Sequence, residues 1–358
     1  MARPGSRGDA ATPAEYVGLP RLVVVVGSGR SGTSTLAGAL KYLGMHVPQP
    51  EWPANRSNPR GFHEPKWVVQ FQRRMLRRAN IALDDARPAA FDLAAQAAGR
   101  ARPQRELAEW LKEHALLTDT NLVKDPRNSY FVPMWRESVT QAGGVPSFLT
   151  MLRHPAEVVG SKSKYYGERF GAASRTANWL NIALHTEEAT RDSPRTFVRY
   201  ADLLQDWRGQ VDRIDRDLGL TVLERAGAEE QAEVDGFIDP GLRRVQVTWD
   251  DLGVPRRLRD MAEHVWEQLG RLAASGDAHD ADAEAALDSA RRDYRELYAE
   301  AEATAESSVY AAREQGRRAA QAGPGDQDRD ASGSGGGGTL ERVRRKVSRT
   351  VQRAQAEG

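Results

Sequence analysis

The chain has 358 residues, of which 40% are hydrophobic, and its formal net charge is +1. This composition suits one large folded domain with appended segments, and the near-zero charge argues against nucleic-acid binding by the whole surface. The sequence contains no cysteine, which excludes disulfides, thiolate catalysis and cysteine-ligated metals. Because residues 1–20 are polar and the apolar run 22–26 is too short to span a bilayer, we expect a cytoplasmic protein.

The predicted elements alternate between strands and helices. After a flexible leader, residues 1–20, the β-branched run RLVVVVG (21–27) is typical of a buried parallel strand. Residues 33–43 then carry apolar side chains at helical spacing. The other predicted strands are 121–124, 147–153 and 196–200, and helical stretches such as 104–117 and 202–217 separate them. This alternation predicts an α/β fold with a central parallel sheet covered by helices, within residues 21–275.

The composition changes near residue 275. Residues 276–322 are rich in Ala, Glu and Arg and predict a helical extension, residues 323–338 are a Gly/Ser-rich linker, and residues 339–358 are a basic tail. The tail has a narrow Leu/Val face, so a weak contact with an anionic membrane surface is one interpretation. A solvated tail is the alternative that we favour, because valine side chains bury little area.

The loop after the first predicted strand, GSGRSGTSTL (27–36), has the features of a phosphate-binding loop. Gly27 and Gly32 have the spacing of the G-x-x-x-x-G-K-[ST] motif, with Ser34 at the final hydroxyl position. Thr33, however, occupies the lysine position, and the nearest cation is Arg30. Such a loop directs backbone N–H groups at an anion. The missing lysine favours a ligand with fewer phosphates and no obligatory magnesium. The candidate ligand-binding residues are Gly29, Arg30, Ser31, Gly32, Thr33, Ser34 and Thr35.

Charged and aromatic residues occur at or just beyond the ends of the predicted strands: Arg30, Lys124, Arg153 and Tyr200. Ligands of parallel α/β sheets bind outside the carboxyl ends of the strands, so one crevice is expected to collect these side chains. The guanidinium fork of Arg153 suits a phosphate, with a surface ion pair as the alternative. For Lys124 the alternative is a salt bridge with its neighbour Asp125.

The glycine loop resembles the 5′-phosphosulfate loop of sulfotransferases that use 3′-phosphoadenosine 5′-phosphosulfate as donor. MLRHPAEVVGSKSKYYG (151–167) is similar to the second signature of that family, which implies that Arg153 and Ser161 bind the donor's 3′-phosphate. FVRYADLLQDW (197–207) resembles the segment whose tyrosine, here Tyr200, lies near the adenine.

Two further segments, NPRGFHEP (58–65) and LVKDPRNSYFVPMW (122–135), are similar to segments of bacterial and carbohydrate-type members. The resemblance covers roughly residues 20–250. The Arg-Lys-Gly motif that ends the cytosolic steroid and phenol enzymes has its nearest counterpart in Arg243-Arg244. Arg244 is therefore carried over as a further phosphate-binding candidate.

The resemblance implies transfer of a sulfuryl group with no metal. Arg30 is placed to stabilise the departing phosphate oxygen. The acceptor hydroxyl must lose a proton, and the segment GFHEP offers two candidate bases, His63 and Glu64. Glu64 is favoured because related carbohydrate-type members use a glutamate, and because His63 beside it on an extended chain would tend to face away.

The predicted function is therefore sulfuryl transfer from 3′-phosphoadenosine 5′-phosphosulfate to a hydroxyl, or an amine, of a glycan, lipid or small-molecule acceptor. A small-molecule kinase or nucleotide hydrolase is the alternative enzyme class, and a nucleotide-binding regulatory module is the alternative outside catalysis. The motifs encode neither the acceptor, whose pocket is built from variable loops, nor the oligomeric state.

Overall fold

A computed structural model describes residues 18–56, 58–166, 170–239, 241, 247–275 and 278–321. Arg244, the Gly/Ser-rich linker, the basic tail and all but the end of the leader lie outside the described residues, and what the sequence predicts for them stays a prediction. No helix in the described part of the chain is both long and apolar enough to cross a membrane.

The described residues form a central sheet of four parallel strands. The strands are β1 (Arg21–Val26), β2 (Thr120–Lys124), β3 (Val145–Leu152) and β4 (Arg195–Arg199), in the order β2-β1-β3-β4. The apolar side chains of β1 are at most 1% exposed from Leu22 to Val26, as expected for a parallel strand that is covered on both faces. The predicted α/β fold with a parallel sheet is confirmed.

Helices connect the strands and continue beyond the sheet. The α-helices in the described residues are α1 (Thr33–Tyr42), α2 (Lys66–Arg78), α3 (Ala89–Ala98), α4 (Ala101–Trp110), α5 (Val132–Gln141), α6 (Pro155–Tyr166), α7 (Ala172–Thr190), α8 (Tyr200–Gln205), α9 (Trp207–Leu218), α10 (Val222–Arg225), α11 (Ala228–Phe237), α12 (Arg256–Ala274), α13 (Ala281–Thr304) and α14 (Glu306–Gln321). The last two confirm that the C-terminal region is helical.

The helix predicted over residues 202–217 is interrupted at Asp206. This residue has φ −146° and ψ 79°, outside the helical region, and its side chain accepts a hydrogen bond of 2.9 Å from the backbone N–H of Gly209. An aspartate that caps a helix in this way satisfies a backbone donor that the first turn leaves unpaired. The prediction of one continuous helix is therefore wrong, because Asp206 ends α8 and begins α9.

Alternate residues of β1 divide the core between the two faces of the sheet. Leu22 and Val24 pack with α2, α3, α4 and α5, whereas Val23 and Val25 pack with α1, α8, α9 and α11. A third apolar cluster joins β3 and β4 to α6, α7, α12 and α13. The two sides of the sheet therefore present different helices to the edge where the strands end.

A buried network of charges joins α7, β4 and α13. The side chain of Glu187 is fully buried, and its carboxylate lies 2.7 Å from Arg191, 3.2 Å from Arg195 and 3.4 Å from Arg291. Arg195 also donates to Glu284 at 2.6 Å. Three guanidinium groups thus share one carboxylate that has no access to water.

The chain divides into two compact units, Met1–Tyr298 and Ala299–Gly358. In the first unit, the hydroxyl of Tyr294 on α13 donates to the carbonyl oxygens of Ala86 (2.5 Å) and Ala177 (2.9 Å). The second unit contains α14. The first unit therefore contains the sheet and continues through most of α13.

Candidate active site

The loop between β1 and α1 has the conformation that its two glycines permit. Gly27 has φ +110°, and a Cβ there would lie 2.9 Å from the carbonyl oxygen of Met151. Its N–H donates to the hydroxyl of Ser129 at 2.9 Å. Gly32 has φ +96°, and a Cβ there would clash with the ring of Tyr200. The tight loop therefore brings the start of α1 directly against the residue that follows β4.

Replacing Gly32 with alanine is expected to destabilise the protein more than replacing Gly44 does. Both glycines have φ near +95°, so both substitutions strain the backbone by about 1–3 kcal/mol. A Cβ at Gly44 meets no atom within 4 Å, whereas one at Gly32 must displace Tyr200. Melting temperatures of the two variants test this difference, and equal losses would contradict the close packing of Tyr200 on the loop.

A cleft of about 370 Å³ lies at the carboxyl ends of the strands, where the sequence predicts it. The predicted site residues that line it are Gly29, Arg30, Gly32, Thr33, Ser34, Thr35, Glu64, Lys124, Arg153, Ser161 and Tyr200. The structure thus brings together residues that are far apart in the sequence, the most distant being Gly29 and Tyr200, which are 171 positions apart.

Arg30 joins the glycine loop to α6. Its Nε donates to the hydroxyl of Ser161 at 3.1 Å, and its guanidinium carbon lies 4.2 Å from the ring centroid of Tyr165. Its backbone has φ +73°, a value that residues other than glycine rarely adopt. Arg153 supports this conformation by donating to the carbonyl oxygen of Arg30 at 3.3 Å. The two guanidinium groups are therefore held on the same side of the cleft.

Arg153 is buried and is anchored to α6, which begins two residues after it. Its Nε donates to Glu157 at 2.8 Å, and its guanidinium carbon lies 5.1 Å from the ring centroid of Tyr200. An ion pair one helical turn away fixes the plane of the guanidinium. Arg153 lines the cleft and is only 8% exposed, so it is not a surface ion pair.

Lys124 and Glu64 form a buried ion pair at the centre of the cleft. The ammonium donates to Glu64 Oε1 at 2.6 Å, to the hydroxyl of Ser34 at 3.0 Å and to the carbonyl oxygen of Phe62 at 3.2 Å. The alternative of a salt bridge between Lys124 and Asp125 is wrong, since Asp125 instead pairs with Arg127. One cation thus connects the glycine loop to the predicted base.

A sequence model of the sulfotransferase family matches residues 20–224, more than half of the chain. The chain belongs to the sulfotransferase family. Among solved structures, this sulfotransferase is similar to the sulfotransferase domain of the olefin synthase of Synechococcus PCC 7002, with 16% identity and a TM-score of 0.41 over 70% of this chain and 95% of that domain. It is also similar to a sulfotransferase domain from the curacin biosynthetic pathway, with 16% identity and a TM-score of 0.40 over 70% of this chain and 98% of that domain. No curated protein matches the sequence.

His63 points away from the cleft in this sulfotransferase. Its ring makes edge-on contacts with Tyr42 and Phe237, and its Nδ1 lies 3.3 Å from Glu51 Oε2. This polar contact lowers the pKa of Glu51 to about 2, and Lys41 acts in the same direction. The side chain of the neighbouring Glu64 therefore lines the cleft, whereas that of His63 faces away from it and holds the loop in place.

Two other residues considered from the sequence, Ser31 and Asp125, lie outside the cleft lining. Ser31 is 1% exposed and does not line the cleft, and Arg244 lies outside the described residues. Asp125, considered beside Lys124, is buried, and this burial raises its pKa to about 6 although Arg127 opposes the shift. Among the described residues, no group of three or more His, Asp or Glu side chains is arranged to hold a metal ion.

Sequence reasoning missed several residues that line the cleft: Trp52, Arg60, Val69, Arg73, Leu83, Arg127 and Tyr165. Arg60, Arg127 and Tyr165 stand inside the motifs quoted for the resemblance, so those motifs held a signal for them. Val69 and Arg73 are four residues apart on α2, which places them on one helical face. Only the position of α2 relative to the sheet shows that this face borders the site.

Proposed function

We propose that this sulfotransferase transfers a sulfuryl group from 3′-phosphoadenosine 5′-phosphosulfate to a hydroxyl group of an acceptor bound in the cleft. The observation that carries the proposal is the meeting of Arg30, Arg153 and the Lys124–Glu64 pair in one cleft beside the glycine loop. In this reaction the acceptor oxygen bonds to sulfur, the bond from sulfur to the 5′-phosphate oxygen breaks, and adenosine 3′,5′-bisphosphate leaves.

The donor's two anionic ends fit two groups of residues. The N-terminal end of α1 and Arg30 supply N–H donors for the 5′-phosphosulfate. Arg153 and Ser161 supply a guanidinium and a hydroxyl for the 3′-phosphate, in line with the family resemblance. Tyr200, whose ring packs against Gly32 and lies 5.1 Å from the guanidinium carbon of Arg153, is proposed to contact the nucleoside.

In the proposed chemistry, one residue stabilises the leaving group and another accepts the proton of the acceptor. By analogy with phosphoryl transfer, the transition state is loose, so positioning and neutralisation of charge supply most of the rate enhancement. Arg30 stabilises the negative charge that develops on the departing phosphate. Glu64 accepts the proton of the acceptor hydroxyl through the oxygen that does not bind Lys124.

The geometry around Ser34 favours sulfuryl transfer over the kinase alternative. In a phosphate-binding loop of a kinase, the hydroxyl at this position binds Mg²⁺. Here it accepts a hydrogen bond from the ammonium of Lys124 at 3.0 Å, and that ammonium is itself buried against Glu64. A fixed cation therefore takes the position beside the loop hydroxyl that a kinase reserves for its metal.

Adenosine 3′,5′-bisphosphate is expected to stabilise the protein without magnesium. At about a hundred times its dissociation constant, the ligand should add roughly 2.7 kcal/mol to the free energy of unfolding. Thermal-shift measurements with adenosine 3′,5′-bisphosphate, adenosine 5′-monophosphate and ATP with magnesium test this ranking. A larger shift with ATP and magnesium would favour the kinase.

The variant Arg153→Ala tests the proposed 3′-phosphate contact. It should reduce the preference for adenosine 3′,5′-bisphosphate over adenosine 5′-monophosphate by about tenfold or more, because a charge-assisted hydrogen bond to a phosphate is lost. Arg136→Ala is the matched control, since Arg136 is a partly exposed arginine of α5 that does not line the cleft. If the preference is unchanged in Arg153→Ala, Arg153 does not bind the 3′-phosphate.

A further inference from the structure

We infer that the acceptor of this sulfotransferase is a small amphipathic molecule that carries an anionic group, a carboxylate, sulfonate or phosphonate-type group, held by Arg73. The inference rests on the proposed function and adds the chemical class of the acceptor. The cleft is lined by a single carboxylate, Glu64, and by six cationic residues: Arg30, Arg60, Arg73, Lys124, Arg127 and Arg153.

Four of these six cations have carboxylate partners within the protein. Lys124 pairs with Glu64, Arg127 with Asp125, Arg153 with Glu157, and Arg60 lies 3.7 Å from Asp239. Their positive charges are therefore largely balanced by carboxylates of the chain itself.

Arg30 and Arg73 have no carboxylate partner among the described residues. The 5′-phosphosulfate of the donor accounts for Arg30, whose side chain donates to Ser161 and lies over the ring of Tyr165. Nothing in the proposed reaction accounts for Arg73. Its neighbour Arg74, by contrast, pairs with Glu106 and does not line the cleft.

Arg73 and the helix that follows the glycine loop belong to opposite faces of the sheet. Helix α2, which carries Arg73, packs on the face of the sheet that carries Leu22 and Val24, whereas α1 and Tyr200 pack on the opposite face. Glu64, the proposed base, lies two residues before the first residue of α2. A group bound by Arg73 therefore approaches the base from the α2 side, which is the side left for the acceptor.

The cleft that Arg73 lines also contains apolar side chains. Val69 lies one turn before Arg73 on the same face of α2, and Leu83, Phe62 and Trp52 belong to the same lining. A cleft that offers apolar side chains together with a cation suits a molecule that has an apolar body and an anionic end. Because Arg73 is exposed, its attraction for that end is screened by salt.

The test compares probes that share a hydroxyphenyl body: para-hydroxyphenylacetate, para-hydroxybenzenesulfonate and para-hydroxybenzylphosphonate as anions, with methyl para-hydroxyphenylacetate and tyramine as neutral and cationic controls. Binding is measured by calorimetry on the protein saturated with adenosine 3′,5′-bisphosphate. At least one anionic probe should bind about three- to tenfold more tightly than the ester, and the difference should shrink as salt is added. The three anions identify which kind of anionic group the site takes.

Two variants test whether Arg73 is the residue responsible for the preference for anionic probes. Arg73→Ala should remove the preference for the anionic probe, whereas Arg77→Ala, one turn further along α2 and outside the cleft lining, should keep it. A preference that survives in Arg73→Ala, or anionic probes that bind no better than the ester, would overturn the inference. Saturation with adenosine 3′,5′-bisphosphate separates the two hypotheses, because a protein that fails to bind it contradicts the proposed function itself.

Discussion

Glu64→Gln should lower the turnover number by about 10²–10⁴-fold and leave the binding of adenosine 3′,5′-bisphosphate intact. The loss is the usual effect of removing a general base, and it equals ~3–5 kcal/mol of barrier. Glutamine has the shape of glutamate, and its amide oxygen still accepts the hydrogen bond that Lys124 donates at 2.6 Å. Steady-state turnover and the thermal shift with the nucleotide measure the two properties separately.

His63→Gln is the matched control for the base. The ring of His63 packs against Tyr42 and Phe237 and does not line the cleft, so its replacement should lower stability but reduce turnover far less than Glu64→Gln. The reverse ranking would transfer the role of base to His63. If both variants stay fully active, neither residue accepts the proton. Asp125, the carboxylate that follows Lys124 in the sequence, is 1% exposed and does not line the cleft.

Glu187→Ala should lower the free energy of unfolding by about 3–5 kcal/mol. Its carboxylate compensates the charges of Arg191, Arg195 and Arg291 where water is excluded. Each arginine keeps a second carboxylate partner, Asp288 or Glu284, but these are more exposed than Glu187, and removing the fully buried partner of an ion pair costs more than the pair itself contributes. The midpoint of urea unfolding, with the slope checked for constancy, measures the loss.

The next residue along α7 provides the control. Glu188 also contacts Arg291, at 3.3 Å, but its side chain is 48% exposed. Glu188→Ala should therefore cost less than about 1 kcal/mol, as exposed ion pairs usually do. Equal losses in the two variants would show that burial of Glu187 does not determine its contribution.

The positions of the residues that we propose to bind the donor could be predicted from the sequence because they depend on local rules. A buried β-branched strand, two glycines and a helix define the loop around Arg30, and parallel strands end at the same edge of a sheet. These rules place Lys124, Arg153 and Tyr200 beside that loop without knowledge of any packing angle. The cleft lining agrees with them.

The partners of these residues could not be predicted in the same way. Lys124 is adjacent to Asp125 in sequence but pairs with Glu64, 60 positions away, because residues adjacent in a strand face opposite sides of the sheet. Arg73 belongs to a helix whose sequence shows only an amphipathic pattern, and its approach to the site depends on how α2 packs on the sheet. Asp206 divides a helical pattern because its capping hydrogen bond outweighs the periodicity around it.

The central position of β1 links the glycine loop to the global stability of the first unit. This strand pairs with β2 on one side and β3 on the other, and its residues from Leu22 to Val26 are at most 1% exposed. Amide hydrogens in such a strand exchange with solvent only when the whole cooperative unit opens. Deuterium uptake in β1 should therefore be among the slowest in the chain, and a nucleotide bound at its end should slow that uptake by the same free energy that it adds to global unfolding.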